Sequence, residues 1–272
     1  MIEIKTIDGK LLFSYDEKIT TLKDEISKYK DLYTANLIRA DLRGANLKGM
    51  QLVKASLQWA DLMGADLFCA NLYYTNLKGA DLNKACLCGV KLYKANFIDA
   101  NLSGADLTGA DLSDADLRNA DLSGADLSGT DLRRADLRGA NFKDTNLYGT
   151  NLSGTKNPPD LPMACPREGS FIAWKKVNKR FIIKLEIPSD AKRSSATTER
   201  CRCSKAMVLK ITNILTQEEV DKIVNYNYTR CVYEVGEMVY PDSFDENRWN
   251  EYSHGIHFFM TEEEAKDFYY YY

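Results

Sequence analysis

Six aspartates at a spacing of five residues form the densest group of ionisable side chains in the sequence. They lie between residues 103 and 132, which read SGADLTGADLSDADLRNADLSGADLSGTDL. Such a row of carboxylates is either a working surface or only the solvated side of a structural repeat, so the repeat must be understood first. The six residues are Asp106, Asp111, Asp116, Asp121, Asp126 and Asp131.

The aspartates belong to a longer repeat of five residues. At 25 successive positions from Leu32 to Leu152, each five residues after the last, the residue is leucine except at Phe97 and Phe142. The residue two before each leucine is usually alanine, the one between them is usually aspartate or asparagine, and the fifth is often glycine. In an α-helix, at about 100° per residue, leucines with this spacing would spiral around the axis. The pattern therefore excludes an amphipathic helix.

An extended backbone accounts for the pattern, because residues two apart then point to the same side. Alanine and leucine would face inward, the aspartate between them outward, and the last two residues would turn a corner, where glycine accepts positive φ. No single repeat can bury its leucine alone, so the repeats must stack into a solenoid whose coils hydrogen-bond to one another. The predicted core includes Leu107, Leu112, Leu117, Leu122, Leu127, Phe97 and Phe142.

Repeats such as Ala105-Asp106-Leu107-Thr108-Gly109 resemble the pentapeptide-repeat family, whose pattern is A(D/N)LxX. The resemblance covers residues from about 30 to 155 and implies a mainly β fold, a right-handed quadrilateral β-helix with four repeats per coil and about six coils. Members of the family often dimerise end to end. A homodimer is therefore an alternative here, although a large domain after the last coil argues against end-to-end contact.

The repeat is flanked by segments of different composition. The segment before it is predicted to cap the open end of the solenoid with two strands around Asp8-Gly9 in residues 2–15, then a helix in residues 20–30. The predicted domains are the cap at 1–30, the β-helix at 31–155, a Pro-rich linker at 156–168 and a carboxy-terminal α/β domain at 169–272.

In the carboxy-terminal domain, β-branched and aromatic residues predict strands at SFIAWKKV, RFIIKLEIP, MVLKIT, VYEVGEMVYP and GIHFFM. Thr216-x-x-Glu219 and Thr261-x-x-Glu264 match capping boxes, which predict helices at QEEVDKIV and EEEAKDF. The stretches GSFIAWKK, DAKRSSATTERCRCSKA, VGEMVYPDSFDENRWNEYSHGIHFF and TEEEA resemble an uncharacterised carboxy-terminal domain of some phage and bacterial pentapeptide-repeat proteins. That resemblance implies an architecture and no activity.

The segment DAKRSSATTERCRCSKA places several basic residues among hydroxyl side chains. We expect a solvated loop here. The alternative is a loop that binds phosphate or nucleic acid, because clustered cations attract phosphate groups. The candidate contacts are Lys192, Arg193, Arg200 and Arg202.

Cysteine and histidine in the same domain raise the question of a metal. Structural zinc sites usually present pairs of the form Cys-x2–4-Cys. The chain instead offers Cys201-x-Cys203 and a distant His254-x-x-His257, a poor match. No metal site and no cofactor is predicted, and a metal at these four residues is left open.

Charge along the solenoid divides into three zones. Residues 96–131 have a net charge of −7, whereas residues 30–95 and 132–156 have +4 and +3, so the repeats sum to zero. Some pentapeptide-repeat relatives imitate duplex DNA and occupy the DNA site of gyrase, which requires a dense negative rod with one charge per ~1.7 Å. A neutral rod meets this requirement poorly. A solvated repeat position is the preferred interpretation of the aspartates, and inhibition of a DNA-handling enzyme is the alternative.

Aromatic residues at predicted outward or corner positions form a second candidate surface. Tyr73 and Tyr93 are one predicted coil apart, so we expect them to lie one above the other on a single side. Ordinary stacking along a column is the preferred interpretation. A protein contact is the alternative, because grouped exposed aromatics often mark one. The group comprises Trp59, Phe68, Tyr73, Tyr74 and Tyr93.

Composition narrows the location. No apolar run approaches the ~20 residues that span a membrane, and the acidic, alternating start does not match a signal peptide. Seven cysteines without a regular framework favour reduced thiols. A cytoplasmic protein is expected.

No catalytic motif of a nucleophile, a P-loop or a dinucleotide fold appears. Residues 253–258 faintly resemble the Gly-Ile-Tyr-Phe strand of ADP-ribosyltransferases, but those enzymes need a further strand with a catalytic glutamate, and only 15 residues follow His257. The sequence therefore predicts a non-enzymatic β-helix scaffold or interaction protein whose partner is a protein, with nucleic acid as the weaker alternative and no membrane.

Overall fold

A computed structural model describes residues 2–17, 21–160, 163–195, 197–225, 231–249 and 254–268. The chain divides into two compact units, Met1–Asp160 and Leu161–Tyr272. Both are mainly β. Helix within the described ranges is limited to two short segments, and neither has the length and apolar composition needed to cross a membrane.

The first unit begins with a β-hairpin. Strands β1 (Ile2–Lys5) and β2 (Leu11–Tyr15) pair antiparallel, with Gly9 at φ +92° in the connecting turn. The hairpin joins the first coil through backbone hydrogen bonds from Ile7 N–H to the Thr34 carbonyl and from Asn36 N–H to the Lys5 carbonyl (2.8 and 2.7 Å).

The helix expected at residues 20–30 is shorter than predicted. Helix α1 covers only Leu22–Ile26, and Thr21 caps it by accepting from Asp24 N–H. Beyond it, Tyr29 stacks on Phe13 at 4.3 Å between ring centroids. Residue 20 lies outside the described part of the chain.

The repeats form a solenoid with a period of 20 residues. Parallel bridges join each repeat to the one a full coil later, from Asp31–Gln51 through to Asp136–Lys156. Four repeats therefore complete a coil and give it four sides, numbered by their first outward residue: side 1 begins at Asp31, side 2 at Asn36, side 3 at Asp41 and side 4 at Asn46. The mainly β solenoid is confirmed, and its handedness and number of coils stay predictions.

Backbone hydrogen bonds between neighbouring coils hold the solenoid together. At one repeat, Leu62 N–H donates to the Asp81 carbonyl of the next coil at 2.7 Å. The adjacent Asp61 N–H donates to the Ala40 carbonyl of the previous coil at 3.0 Å. Each repeat contributes one bridging residue instead of a long strand, because the chain turns a corner immediately afterwards.

The inward residues match the predicted core with one exception. Phe142 is only partly buried, because it lies in the last coil, beyond which the described residues form no further parallel bridge. The other predicted core residues are all 0% exposed: Phe97, Leu107, Leu112, Leu117, Leu122 and Leu127.

The corners adopt positive φ whether or not glycine is present. Gly64 has φ +63°, and Lys54, Trp59 and Tyr74 have φ of 58–59° at the equivalent position. A side chain in this left-handed region costs about 1–2 kcal/mol relative to the right-handed one. Glycine is therefore favoured at the corners but not required.

Within its described residues, the second unit contains three antiparallel sheets. Its strands are β3 (Phe171–Val177), β4 (Phe181–Ile187), β5 (Arg193–Ser195), β6 (Cys201–Cys203), β7 (Ala206–Asn213), β8 (Lys222–Asn225), β9 (Cys231–Glu234), β10 (Met238–Val239) and β11 (Ile256–Phe258). The sheet orders are β10-β7-β4-β3, β11-β6-β5 and β8-β9. Helix α2 (Glu262–Asp267) begins at the predicted capping box of Thr261 and Glu264. Buried Ile183, Leu185, Val208 and Phe258 are among the core residues.

Two predictions for this unit are wrong. The segment DAKRSSATTERCRCSKA is not a solvated loop, because β5 and β6 pair within it and all three residues of β6 are buried. The helix expected at QEEVDKIV is absent: Gln217 has φ +61°, which breaks a helix, and β8 forms instead by pairing with β9.

The predicted strand VYEVGEMVYP is also divided. Strands β9 and β10 are separated by a turn at Val235-Gly236, where Gly236 has φ +85°. β9 then pairs with β8, whereas β10 pairs with β7.

The inside and outside assignment of the solenoid is testable at one repeat. Leu127→Ala should destabilise the protein by about 2–5 kcal/mol, because it leaves a cavity in the stacked core. Asp126→Asn at the neighbouring outward site should change the free energy of unfolding by less than ~1 kcal/mol. Chemical denaturation of both variants measures this, and equal losses of stability would contradict the assignment.

Candidate functional site

The six aspartates of the acidic row each serve the corner of their own repeat. Their side chains are half-buried, and in every case Oδ1 accepts a hydrogen bond from the backbone N–H two residues later. These bonds are 2.9–3.3 Å long, as at Asp126 with Ser128 (2.9 Å) and Asp116 with Arg118 (3.3 Å). Asparagine makes the same bond at Asn96 and Asn101. The repeat therefore favours aspartate or asparagine because both can close this turn.

Hydrogen bonding also lowers the pKa of several of these carboxyl groups. Backbone and side-chain hydrogen bonds from Ser123 lower the pKa of Asp121, and those from Ser128 lower the pKa of Asp126. Arginine neutralises part of the row, since Arg118 pairs with Asp116 (2.8 Å). The carboxylates of the row are thus engaged in closing turns, and part of their charge is paired with arginine.

The aromatic candidates are distributed over three sides of the solenoid. Trp59 lies at the corner that ends side 2, where its ring covers Gly79 so closely that a Cβ there would be 2.2 Å from it. Phe68 lies on side 4. The three tyrosines lie together on side 1 and its corner, so the predicted group of five is not one surface.

The tyrosines form a compact patch with one lysine. The Tyr93 ring contacts Tyr73 at 5.9 Å and Tyr74 at 5.7 Å between centroids, both edge to face. Lys94 Nζ lies 5.2 Å from the Tyr93 centroid and 5.9 Å from that of Tyr74. Tyr74 is 47% exposed, and Tyr73 lies below Tyr93 as the period predicted. We call Tyr73, Tyr74, Tyr93 and Lys94 the tyrosine patch.

The basic candidates of the second unit are engaged inside that unit. Arg202 is 2% exposed and donates to the Asn247 carbonyl at 2.9 Å. Arg193 donates to several backbone carbonyls, including that of Gly169 at 2.9 Å.

The two remaining basic candidates have partners as well. Lys192 pairs with Glu246, and the Arg200 guanidinium lies 4.4 Å from the Phe268 ring centroid. Because Arg193 and Arg202 donate to backbone carbonyls, these two arginines, Lys192 and Arg200 form no open phosphate-binding cluster.

The two cysteines of the candidate metal set lie in the core of the second unit, and the two histidines do not. Cys201 and Cys203 are 0% exposed and belong to the hydrophobic core. His254 is exposed and His257 is partly buried. His257 pairs with Arg202 across β11 and β6. Over the described ranges, no three or more histidines, cysteines or acids are arranged to hold a metal ion.

One buried amine was not singled out by the sequence. Lys175 on β3 is 9% exposed, and its Nζ donates to the His257 carbonyl at 3.0 Å. Burial lowers its pKa to about 8. The sequence could have indicated this burial. Lys175 lies between Ala173 and Val177 in β3, and alternation along a strand puts residues 173, 175 and 177 on the same, inward face.

Two family models match parts of the chain. Residues 31–67, 95–134 and 115–154 match the model described as pentapeptide repeats (8 copies). The chain belongs to the pentapeptide-repeat proteins. Residues 161–265 match a family of unknown function, DUF5758. No curated protein matches the chain.

Solved structures of other pentapeptide-repeat proteins are similar to the repeat unit. HetL from Nostoc sp. strain PCC 7120, involved in heterocyst differentiation regulation, is 33% identical over 46% of this chain and 78% of its own, with a TM-score of 0.28. Rfr23 from Cyanothece 51142 is 39% identical over 34% of this chain and 63% of its own, just under two thirds, with a TM-score of 0.33. Full-length QnrB1, a plasmid-mediated fluoroquinolone resistance protein, is 24% identical over 46% of this chain and 66% of its own, with a TM-score of 0.26.

The structural role of the acidic row in this pentapeptide-repeat protein is testable at Asp121. Asp121→Ala removes the acceptor for Ser123 N–H and should lower the free energy of unfolding by about 1 kcal/mol. Asp121→Asn keeps an acceptor and should lower it by less than half as much. Denaturant titration of the two variants measures the difference. If both changes were equally harmless, the hydrogen bond would not explain the residue preference.

Lys175 predicts a pH dependence of stability. Its native pKa of about 8 is below the unfolded value near 10.4, so the buried charge destabilises the native state fully below pH 8. This penalty is relieved as pH rises from 8 to 10.4. Lys175→Met should therefore gain stability over the natural protein at pH 7, by up to ~3 kcal/mol, and lose that advantage towards pH 10.4.

Urea denaturation between pH 6 and 10.4, followed by tryptophan fluorescence, measures this. Lys184→Met, at an exposed position on β4, is the matched control. A stability difference between Lys175→Met and the natural protein that does not change with pH would contradict a lowered pKa of the buried amine.

Proposed function

We propose that this protein is a non-enzymatic scaffold whose pentapeptide-repeat unit binds a partner protein through the tyrosine patch on side 1. The observation that carries the proposal is the mutual packing of three tyrosine rings, with Lys94 against two of them, on an exposed surface. Tyrosine is enriched in the centres of protein interfaces, where its ring supplies contact area and its hydroxyl a hydrogen bond.

Preorganisation supports this surface further. Association requires side chains to lose rotational freedom, which costs about 0.5–1.5 kcal/mol for each flexible side chain. The rings of Tyr73, Tyr74 and Tyr93 already restrain one another, and the backbone beneath them is fixed by bonds between coils, such as Tyr74 N–H to the Tyr93 carbonyl at 3.0 Å. Binding at this patch would therefore lose less entropy than binding at isolated surface residues.

Charge gives the partner a preferred character. Lys54 lies one coil before Tyr74, and Lys91 and Lys94 lie in the repeat of Tyr93, all on side 1 and its corner; Asp111 and Asp114 follow one coil later. Over the described ranges, no carboxylate lies within ion-pair distance of these three lysines. Opposite charge across an interface favours the encounter of the two proteins, so the patch suits a partner with an acidic surface.

The competing surfaces are less suited to binding. The aspartates use an oxygen each to close their own turns, and the repeat unit as a whole carries no net charge. Imitation of duplex DNA requires a continuous negative rod. The basic residues near β5 and β6 bond inside their own unit, which leaves the tyrosine patch as the best-supported contact.

A double substitution tests the proposal. The full-length protein, immobilised, should capture a partner from the native cell, and Tyr74→Ala with Lys94→Ala should weaken binding of the purified partner at least about tenfold. Calorimetric titration of the two purified proteins gives the affinities.

Trp59→Ala is the matched control. Trp59 is a corner aromatic with nearly the same φ as Tyr74 and similar exposure (53% against 47%), but it follows side 2. Trp59→Ala should change the affinity for the purified partner by no more than about twofold. A partner bound equally well by the Tyr74/Lys94 variant would refute side 1 as the contact.

A further inference from the structure

Two cysteines occupy neighbouring outward positions on side 4 of the solenoid. Cys86 stands where the repeat usually has aspartate or asparagine, and Cys88 follows two residues later. Both residues are partly exposed, and their sulphur atoms are 3.8 Å apart.

The geometry of the repeat brings these side chains together. In other repeats the side chains at the same two positions also touch: Ser103 Oγ donates to Asn101 Oδ1 at 2.6 Å, and Arg118 Nε donates to Asp116 Oδ1 at 2.9 Å. The backbone of Cys86 is fixed in the same way, because its N–H donates to the Ala65 carbonyl at 2.9 Å. The sulphur contact therefore follows from the fold.

We propose that Cys86 and Cys88 form a dithiol site that reacts with low-molecular-weight disulfides, such as oxidised glutathione, to close an intramolecular disulfide. A disulfide has an S–S length of about 2.05 Å and Cα atoms at most ~7 Å apart. The Cα atoms of residues two apart are separated by at most ~7 Å, so Cys86 and Cys88 meet this limit. Their sulphurs, 3.8 Å apart, need to approach by about 1.8 Å to bond.

Asp106, one coil further on, determines which of the two cysteines attacks first. The Cys88 thiol donates to Asp106 Oδ2 at 2.9 Å. Burial, followed by this hydrogen bond, raises the pKa of Cys88 to about 12. Since the thiolate is the nucleophile in disulfide exchange, Cys86 makes the first attack and Cys88 resolves the intermediate.

The reaction balances with oxidised glutathione as the oxidant. The Cys86 thiolate attacks one glutathione sulphur, forms a mixed disulfide and releases one glutathione thiolate. The Cys88 thiol then loses its proton to water, its sulphur attacks the Cys86 sulphur, and the second glutathione thiolate leaves. Two electrons pass from the cysteine pair to glutathione disulfide, which becomes two glutathione thiols.

Peptide mapping of the full-length protein tests the linkage. After incubation with oxidised glutathione at pH 7.5 and alkylation, the peptide carrying Cys86 and Cys88 should be lighter by two hydrogens and free of glutathione. Cys69 is an internal control, because it is exposed and has no sulphur in contact among the described residues. It should keep a glutathione adduct. Glutathione retained at Cys86, or a bond from either cysteine to Cys69, would overturn the proposal.

Single-thiol variants test the order. Cys88→Ser should trap glutathione on Cys86, whereas Cys86→Ser should react at Cys88 at least roughly tenfold more slowly. Serine already occupies the same two positions elsewhere, at Ser56 and Ser103.

The role of Asp106 is tested by adding Asp106→Asn to Cys86→Ser. Asparagine still accepts from Thr108 N–H but removes the carboxylate from the thiol, so Cys88 should react at least about fivefold faster than in Cys86→Ser alone. Equal rates at Cys86 and Cys88 in the single-thiol variants, or no acceleration by Asp106→Asn, would contradict the assigned order.

Discussion

The hydrogen bonds between coils are the constraint on which the repeat unit depends. Each repeat must place its N–H and carbonyl groups opposite those of the repeat 20 residues away, so every coil follows nearly the same path. The interior then has a fixed width that admits one leucine and one small residue per repeat. Where the small residue is threonine, its hydroxyl is satisfied by a carbonyl of the previous coil, as from Thr130 to Leu107 at 2.8 Å.

The same constraint limits where function can reside. The inward positions are filled by the core, and the first outward position usually closes a turn, as Asp121 does for Ser123. The third residue of the repeat also points outward, and the fourth lies at the corner; neither is needed to close the turn. Tyr73, Tyr93 and Cys88 are third residues, and Tyr74 is a fourth residue. Both proposals for this protein accordingly draw on residues at positions the backbone leaves free, and the dithiol site adds Cys86 at the turn-closing position.

The fold of the repeat unit could be predicted from the sequence, because the period is strict and alternation assigns inward and outward residues without reference to distant ones. The pairing of distant strands in the second unit could not be predicted in this way. Strand β8 forms where a capping motif predicted helix, since its partner β9 lies beyond it in the chain, and β5 and β6 bury Arg202 through carbonyls supplied by other segments. The local preference of QEEVDKIV for helix is weaker than the pairing that opposes it.

Regularity misdirects the search for function in a repeat protein. The aspartates recur along the chain because each one closes a turn, so their repetition has a structural cause. Departures from the pattern are more informative. Cys86 gives up the side-chain oxygen that closes the turn in neighbouring repeats. A residue that is less favourable for the fold than the repeat's usual choice is a better indication of binding or reactivity than one that repeats.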